Sequence, residues 1–248
     1  MTDKKKLSFP KIHMIYAATE SGLVGKGDGL PWVSSFDSKW FQKHTINNPV
    51  LFGKNTSLTM GQVGCFPLKN RPCAIVSKTM GQNLISPQGG ALVFEDLYSA
   101  CQHYRNFYNI VIAGGLGLYR TALRTTQPWP DMFGTPEIDN PLVDTVIKTT
   151  FPDGYCKGDV YFKDFDPAKD SQFYLAQKET YALCKNDVGK DAYFPEIGYE
   201  HVGIFHEDGA REMMPVGGMM TAFEGYTVRE TDTPFPWIIF EIWKRRTK

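Results

Sequence analysis

Residues 25–41 read Gly25-Lys-Gly-Asp-Gly-Leu-Pro-Trp-Val-Ser-Ser-Phe-Asp37-Ser-Lys-Trp-Phe41, a glycine-rich loop that runs into a predicted helix. The three glycines make the loop pliable, because glycine lacks a Cβ atom and adopts backbone conformations that other residues avoid. Pro31 then restricts the backbone next to Trp32, because its ring fixes φ. The pattern predicts a movable loop that presents Trp32 in a defined way, followed by a first helix over residues 37–47.

Asp37 stands at the predicted start of that helix, among aromatic residues. One interpretation is a helix cap, since aspartate is a favoured N-cap residue. The other is a carboxylate held at the edge of a pocket, where it binds a ligand. The spacing alone favours the cap.

The composition and charge limit the classes of protein to which this chain can belong. The chain has 248 residues, of which 42% are hydrophobic and 14% aromatic, which predicts a soluble globular protein with a substantial core. Its 27 basic and 27 acidic residues cancel, so no net charge points to nucleic acid or to a membrane surface. No long apolar run follows the N-terminal Met-Thr-Asp-Lys-Lys-Lys, so neither a signal peptide nor a transmembrane helix is predicted.

The cysteines are odd in number and scattered, and the histidines are dispersed. The absence of a Cys-x-x-Cys pair argues against a zinc site, and no metal is predicted. Reduced thiols in a reducing, cytoplasmic compartment are the expectation. The five cysteines are Cys65, Cys73, Cys101, Cys156 and Cys184.

Two predicted strand-to-helix transitions carry glycine where a phosphate could bind. The run at 50–52 is continuously apolar, typical of a sheet buried on both faces, and it leads into Gly53-Lys-Asn-Thr56. A second strand, at 109–113, leads into Gly114 and Gly115. Helix N-termini favour anions, and glycine lets a phosphate approach the backbone. Neither stretch is a Walker A or a Gly-x-Gly-x-x-Gly motif, and plain packing of a helix on a strand is an equally consistent interpretation.

These residues resemble the dihydrofolate reductase family. The family's pattern is matched along the chain by Leu30-Pro-Trp followed by Asp37, Gly53-Lys-x-Thr56, Pro67-Leu-x-x-Arg71, Gly114-Gly-x-x-Leu-Tyr119 and Gly158-Asp-x-x-Phe162. The resemblance implies an α/β fold with a mostly parallel central sheet, flanking helices and a C-terminal antiparallel hairpin of residues 226–231 and 237–243. It implies a single domain over residues 1–248, with insertions at about 124–141 and 171–224.

The resemblance further implies NADPH-dependent reduction of 7,8-dihydrofolate to 5,6,7,8-tetrahydrofolate, by hydride transfer to C6 and protonation of N5. Asp37 would bind the pterin, and the loop at 22–34 would close over the nicotinamide. Arg71 would pair with the α-carboxylate of the substrate's glutamate tail, a task that a planar guanidinium suits. The residues implied to be catalytic are Asp37, Trp32, Leu30, Tyr119 and Thr149. Those implied to bind the substrate are Tyr16, Phe41, Phe52, Leu68 and Arg71.

The cofactor site is implied in the same way. Ser77 and Lys78 would lie at the adenosine 2′-phosphate, but Gly117 stands where the family has a second basic residue, so preference for NADPH over NADH depends more on Lys54 and Lys78. The expected partners are dihydrofolate and antifolates, without nucleic acid or membrane, and a monomer is favoured. The implied cofactor-binding residues are Ala17, Val24, Lys54, Asn55, Thr56, Ser77, Lys78, Ala113, Gly114, Gly115 and Leu118.

Two alternatives stay open at this point. A related reductase of pteridine or pyrimidine precursors shares the sheet and the cofactor site. Asp37 and Arg71 argue against it, because a ribosyl phosphate substrate needs no carboxylate-binding residue at that position. A non-enzymatic structural module that keeps the reductase fold is allowed by the long insertions.

Overall fold

A computed structural model describes residues 9–32, 34–80, 90–127, 140–153, 156–185, 199–205, 211–212 and 237–246. The chain divides into two compact units. The first comprises Met1–Tyr16, Gln42–Val146 and Lys244–Lys248, and the second comprises Ala17–Phe41 and Ile147–Trp243. The single domain over residues 1–248 stays a prediction.

Strands and helices alternate through the first half of the described chain, and strands follow in the second half. In chain order the elements are β1 (Lys11–Thr19), β2 (Leu23–Gly25), α1 (Ser35–Thr45), β3 (Val50–Gly53), α2 (Lys54–Gln62), β4 (Cys73–Val76), β5 (Ala91–Phe94), α3 (Leu97–His103), β6 (Asn109–Ile112), α4 (Leu116–Arg124), β7 (Thr145–Phe151), β8 (Val160–Tyr161), β9 (Phe173–Lys185), β10 (Tyr199–Phe205), β11 (Arg211–Glu212) and β12 (Trp237–Arg245).

A parallel sheet forms the centre of the first unit. Its strands lie in the order β1-β6-β3-β4-β5, and each neighbouring pair is parallel. The strands are short apolar runs that are almost wholly buried, because α2, α3 and α4 pack against them. The predicted α/β fold with a mostly parallel sheet is confirmed.

The register of this sheet brings two helix starts together. Val50 of β3 pairs with Val111 of β6, so the two strands end at the same edge. β3 leads directly into α2, and β6 leads into α4 through residues 113–115. Ligands of open α/β sheets bind at this carboxyl edge.

The described strands of the second unit are largely antiparallel. They lie in the order β11-β10-β9-β12-β7. β9 pairs antiparallel with β10, with an irregularity between His201 and Gly203, and β2 pairs antiparallel with β8 in a separate sheet. The predicted antiparallel C-terminal strands are confirmed.

The predicted partner of residues 237–243 was the segment 226–231, which lies outside the described residues. In the described part, β12 lies beside β9. β9 occupies Phe173–Lys185, at the start of the insertion predicted over 171–224. The remainder of that segment lies largely outside the described residues.

The ends of the other predicted insertion, at 124–141, meet. Thr126 forms a β-bridge with Pro141, and the Gln127 N–H donates to the Asn140 carbonyl oxygen at 2.7 Å. Residues 128–139 lie outside the described residues. Residues 126–127 and 140–141 therefore lie side by side after α4.

Two features are absent from the residues that the structure describes. No helix there is long and apolar enough to cross a membrane. No cluster of three or more His, Cys, Asp or Glu side chains in the same ranges is arranged to hold a metal ion.

Candidate active site

Asp37 lies in the first turn of α1, in the second unit. Ser34 caps this helix, because its hydroxyl oxygen accepts the Asp37 N–H at 3.2 Å and its carbonyl oxygen accepts the Ser38 N–H at 3.0 Å. The interpretation of Asp37 as the cap is therefore wrong. Its carboxyl group is left available for other partners.

Two side chains hold the Asp37 carboxyl group. Trp32 Nε1 donates to Oδ2 over 3.4 Å, which is long for a hydrogen bond, and the Thr149 side chain also hydrogen-bonds to this carboxyl group. Thr149 belongs to β7 and is only 2% exposed. Trp32 stacks on Phe151 of the same strand, with ring centroids 4.4 Å apart. The structure thus brings together Asp37, Trp32 and Thr149, three of the residues that the resemblance implies to be catalytic.

Burial raises the pKa of Asp37 from 3.8 to about 6, although the hydrogen bonds from Thr149 and Trp32 oppose the rise. Asp37 is half-buried, so a ligand can still reach it. A carboxyl group with this pKa populates both protonation states near neutral pH. Such a group can bind a cationic ligand or pass on a proton.

The glycine-rich loop that precedes α1 is attached to β8. The Asp159 carboxylate accepts the Gly27 N–H at 2.7 Å, and β2 pairs with β8. A Cβ atom on Gly158 would collide with the carbonyl oxygen of Gly25. Only glycine therefore lets the two segments approach this closely.

Two helix N-termini lie side by side in the first unit. Gly53 is the N-cap of α2 and Gly115 is the N-cap of α4, and glycine has no side chain with which to cap either helix. The Gly53 N–H donates to the Gly114 carbonyl oxygen at 2.6 Å, and a Cβ atom on Gly53 would lie 3.4 Å from the Gly115 nitrogen. The positive ends of both helix dipoles therefore meet at one place, which favours a bound anion.

The glycines at this edge fit tightly against their neighbours. A Cβ atom on Gly115 would lie 2.8 Å from Thr56 Oγ1. Gly114 has a φ of +125°, a conformation that other residues rarely adopt, and its Cβ would lie 3.3 Å from the Tyr119 hydroxyl. That hydroxyl is buried and donates to the Ile15 carbonyl oxygen at 2.7 Å. Thr56, Gly114, Gly115 and Tyr119 therefore lie close together, and their roles in binding a cofactor or substrate stay predictions.

Residues after β4 contact the start of α2. Lys54 Nζ donates to Thr79 Oγ1 at 3.1 Å. Ser77 Oγ lies 3.3 Å from the same oxygen and accepts the Thr79 N–H at 3.3 Å. Lys78 is exposed. Sequence reasoning missed Thr79, because its contact with Lys54 joins positions 25 residues apart and no local pattern signals it.

Arg71 is half-buried and its guanidinium group is oriented by two hydrogen bonds. Nη1 donates to Thr45 Oγ1 at 2.8 Å, and Nε donates to the Lys69 carbonyl oxygen at 3.0 Å. The Leu68 N–H donates to Cys73 Sγ at 3.2 Å, which holds the preceding loop against β4. A planar cation held in this way suits a carboxylate ligand.

The remaining predicted substrate residues differ in their surroundings. Phe52 is 1% exposed and packs edge-to-face on Phe66, with centroids 5.7 Å apart, in the core of the first unit. Tyr16 is buried with its ring centroid 6.0 Å from that of Tyr119. Phe41 is half-buried on α1. Substrate contact by Phe52 stays a prediction, and its burial in the core does not favour it.

The other predicted site residues range from buried to exposed. Leu118 is buried, Ala17, Val24 and Ala113 are half-buried, and Asn55 and Leu30 are exposed, Leu30 by 64%. The large exposed area of Leu30 leaves its side chain available to cover a ligand. The roles of these residues stay predictions.

The parallel sheet with two adjoining glycine-capped helix starts places the first unit in the α/β class, with an edge that suits an anionic ligand. A family model described as Dihydrofolate reductase matches residues 11–188. The chain belongs to the dihydrofolate reductase family.

Individual relatives are similar at low identity. The dihydrofolate reductase of Haemophilus influenzae is 27% identical over 110 residues, which are 44% of this chain and 63% of the relative. That of Mycoplasma pneumoniae is 25% identical over 167 residues, which are 65% of this chain and 91% of the relative. A solved dihydrofolate reductase from Enterococcus faecalis, complexed with NADP(H) and RAB-propyl, has a TM-score of 0.56 at 16% identity, covering 97% of this chain and 100% of that one. The last similarity concerns the fold alone.

Proposed function

We propose that this enzyme reduces 7,8-dihydrofolate to 5,6,7,8-tetrahydrofolate with NADPH as hydride donor. The observation that carries the proposal is the half-buried Asp37 carboxyl group, which is held by Trp32 and Thr149 and has a pKa of about 6. Membership of the dihydrofolate reductase family supports the substrate. The NADP(H) bound to the Enterococcus faecalis relative supports the cofactor.

Asp37 is proposed to recognise the pterin ring. A carboxylate offers two acceptor oxygens, and the 2-amino group and ring N3 of a pterin offer two neighbouring donors. Hydrogen bonds to a charged group contribute about 1.5–3 kcal/mol each. Since Ser34 caps α1, the helix does not compete for the carboxylate. Diaminopyrimidine antifolates should bind through the same group.

The reaction needs a proton at N5, and the raised pKa of Asp37 lets this carboxyl group hold one near neutral pH. With a pKa of about 6, about one Asp37 in ten is protonated at neutral pH. At the ordinary pKa of 3.8 the fraction would be roughly one in a thousand. The same group can therefore hold a proton in the resting enzyme and stabilise a protonated pterin when it is ionised.

The first unit fits the phosphates of a dinucleotide. The missing side chain of Gly115 leaves bare backbone beside Thr56, and the start of α2 lies next to it at Gly53. The N–H groups of both helix starts would bind the pyrophosphate, and Lys54 would add a cation. NADPH, when bound, supplies the hydride. The chain's own contribution is to orient the cofactor and to offset its negative charge.

The direct test is the absorbance of NADPH with dihydrofolate added, repeated with NADH in place of NADPH. Oxidation that requires dihydrofolate and proceeds better with NADPH is the expected result. Oxidation of neither coenzyme, with tight binding of NADPH retained, would instead make the chain a binding module and overturn the proposal.

Replacing Arg71 with Met should raise the KM for dihydrofolate about tenfold or more, because a bidentate charge-assisted pair is lost. The kcat should change little, since the glutamate tail lies away from the reacting ring. A reduced pteridine that lacks the glutamate tail provides the control, because its KM should be the same for wild type and variant. Equal effects on both substrates would contradict a carboxylate-binding role.

Replacing Asp159 with Ala should loosen the glycine-rich loop, because the Gly27 N–H loses its acceptor. We expect faster hydrogen exchange at the Gly27 amide and a kcat lowered about three- to tenfold, if closure of residues 22–34 limits turnover. Asp159→Asn keeps an acceptor oxygen and should restore most of both values. Unchanged kcat alongside faster exchange would show that the loop does not act as a lid.

We also propose that the added segment of this single reductase domain lies between β9 and β12. The family match continues to residue 188, past the end of β9. β12 lies beside β9 in the sheet, although about fifty residues separate them in the chain.

A further inference from the structure

We propose that the amino edge of the parallel sheet, where β1, β6 and β3 begin, binds single-stranded nucleic acid. This edge lies opposite the carboxyl edge, at which the two glycine-capped helices begin. The inference is independent of the proposed function, because it concerns side chains to which no part in the reaction is assigned.

The zero net charge of the chain conceals a separation of charge between the two units. Of the 27 basic residues, sixteen belong to the first unit and eleven to the second, whereas of the 27 acidic residues seven belong to the first and twenty to the second. The first unit therefore carries nine more positive than negative charges. Such an asymmetry indicates an anionic partner. The sequence prediction of no nucleic-acid partner rests on the net charge alone, and the inference departs from it.

The topology places a row of exposed cations along the amino edge. Five neighbouring strands, in the order β12-β7-β1-β6-β3, contribute to it. Neighbouring strands lie about 4.8 Å apart, so the row extends over roughly 20 Å. From β12 to β3, the cations are Lys244 at the end of β12, Arg124 at the end of α4, Lys11 at the start of β1, Arg105 after α3 and Lys43 in the last turn of α1.

Asp144 fixes three of these strand ends at one place. Its N–H donates to the Ile12 carbonyl oxygen of β1, and its carbonyl oxygen accepts the Arg245 N–H of β12, both at 2.9 Å. Its carboxylate is already engaged, since Oδ1 lies 3.5 Å from Lys11 Nζ and Oδ2 accepts the Ile12 N–H at 2.8 Å. The other acids in the described part of the first unit, Glu95 and Asp96, follow β5 at the carboxyl edge.

His13 reports the positive charge of this edge. Burial, together with the positive charges of His44, Lys11 and Lys244, lowers its pKa to about 4. Cations in the last turn of a helix also stabilise that helix through its dipole, which accounts for Lys43. Lys11 and Lys244 lie in strands, where no helix dipole explains them.

Tyr108 adds an aromatic side chain to the row and favours one class of anion. It directly precedes β6 and is 81% exposed. Its carbonyl oxygen accepts the Lys11 N–H at 2.9 Å, so the residue lies beside Lys11. Single-stranded nucleic acid matches both features, because its phosphates contact cations and its unstacked bases stack on exposed rings. A duplex or a membrane surface offers no unstacked base.

The test is the fluorescence anisotropy of labelled oligothymidylate and oligouridylate, each about twenty nucleotides long, with the full chain added. We expect a Kd on the order of 10 μM at low salt. The logarithm of Kd should rise with the logarithm of the salt concentration with a slope of about 3, because each phosphate contact contributes about 0.7. Binding of either oligonucleotide supports the inference, and the tighter one distinguishes DNA from RNA as the partner.

Replacing Tyr108 with Ala should raise the Kd about tenfold and leave the salt slope unchanged, since a stacked base is lost and no charge is removed. Tyr108→Phe keeps the ring and should restore the affinity. Tyr98→Ala is the matched control, because Tyr98 is 54% exposed near the start of α3, at the carboxyl edge. It should leave the Kd unchanged.

Replacing both Arg105 and Lys244 with Gln should lower the salt slope by about 1.4 and weaken binding of both oligonucleotides. The matched control replaces Lys163 and Lys169 with Gln, since both are exposed in the second unit and the net charge changes equally. An equal loss of affinity in the two double variants would show a general charge effect and overturn the inference.

Saturating NADPH should leave oligonucleotide binding unchanged, because the proposed phosphate site lies at the carboxyl edge. Displacement by NADPH would place the oligonucleotide in the cofactor site and overturn the inference. A wild-type Kd above about 1 mM would also overturn it, as would binding to phosphatidylserine vesicles that Tyr108→Ala does not weaken, without binding to oligonucleotides. None of these measurements needs turnover, so a failure to reduce dihydrofolate would refute the proposed function separately.

Discussion

Replacing Asp37 with Asn is expected to lower kcat/KM for dihydrofolate by about a hundredfold or more at neutral pH. The asparagine side chain is close in size to aspartate, so Trp32 and Thr149 can pack against it in the same way. The substitution removes the negative charge that they contact. It thereby removes the proposed anionic acceptor for the pterin and the group proposed to hold a proton. Steady-state rates with NADPH and varied dihydrofolate measure the effect.

The pH dependence separates this role from a structural one. The variant must take its proton from solution, so its residual kcat/KM should rise as the pH falls, approaching the wild-type value at low pH. A carboxyl group with a folded pKa of about 6 and an ordinary pKa of 3.8 binds its proton more tightly in the folded state. Its stabilisation is therefore complete below about pH 4 and is lost as the pH rises through about 6.

As the pH rises, the stability of the Asp37→Asn variant relative to wild type should therefore increase, whereas its residual activity should fall. Asn cannot ionise, so the unfolding free energy of Asp37→Asn, relative to wild type, should increase by about 2 kcal/mol between about pH 4 and pH 7, with allowance for solvent at the half-buried group. Denaturant titrations at both pH values measure this. Asp96→Asn is the control, since Asp96 caps α3 and asparagine caps equally well. Near wild-type turnover of Asp37→Asn at neutral pH would remove Asp37 from the mechanism.

Replacing Gly115 with Ala is expected to raise the Kd and KM of NADPH about ten- to a hundredfold. The new Cβ atom would lie 2.8 Å from Thr56 Oγ1, and it would also cover backbone that a phosphate must approach. Thr56 can relieve the overlap only by turning its hydroxyl away, which removes another predicted cofactor contact. Either adjustment weakens cofactor binding. The variant should still fold, because a single methyl group is added at the carboxyl edge of the sheet.

Gly117→Ala tests this reasoning in the same helix. A Cβ atom on Gly117 would meet nothing within 4 Å, and the residue is exposed. Cofactor binding should be unchanged, and the unfolding free energy should rise by about 0.5–1 kcal/mol, because alanine favours the helix. If both alanine variants bound NADPH as well as wild type, the two helix starts would not form the phosphate site.

Much of the fold was readable from local patterns. The apolar run at 50–52 predicted a buried strand, because a strand covered on both faces contains few polar residues. Gly53, Gly114 and Gly115 indicated places where the backbone can be approached closely, by a phosphate or by a packed helix, because glycine has no side chain. These features depend on a residue and its immediate neighbours in the chain, so they can be predicted from the sequence.

Other features depended on residues that are distant in the chain. The strand β9 was not predicted, because its residues gave no motif and its place beside β12 depends on pairing across a long intervening segment. The contact of Thr79 with Lys54 arises from two parallel strands ending together. Neither the position of β9 nor this contact can be predicted from a local sequence pattern.

Asp37 shows both sides of this division. The amino-acid sequence by itself determined that an acid follows a glycine-rich loop and begins a helix, and it left a cap and a ligand-binding carboxylate as alternatives. The structure excluded the cap, because Ser34 takes that place, and it showed what a linear pattern could not, that Thr149 of β7 hydrogen-bonds to the carboxyl group. Ligand binding by Asp37 stays a proposal. The pKa of about 6 likewise comes from the burial of the carboxyl group. The cost of removing its charge from water depends on all the atoms packed around it, which come from distant parts of the chain.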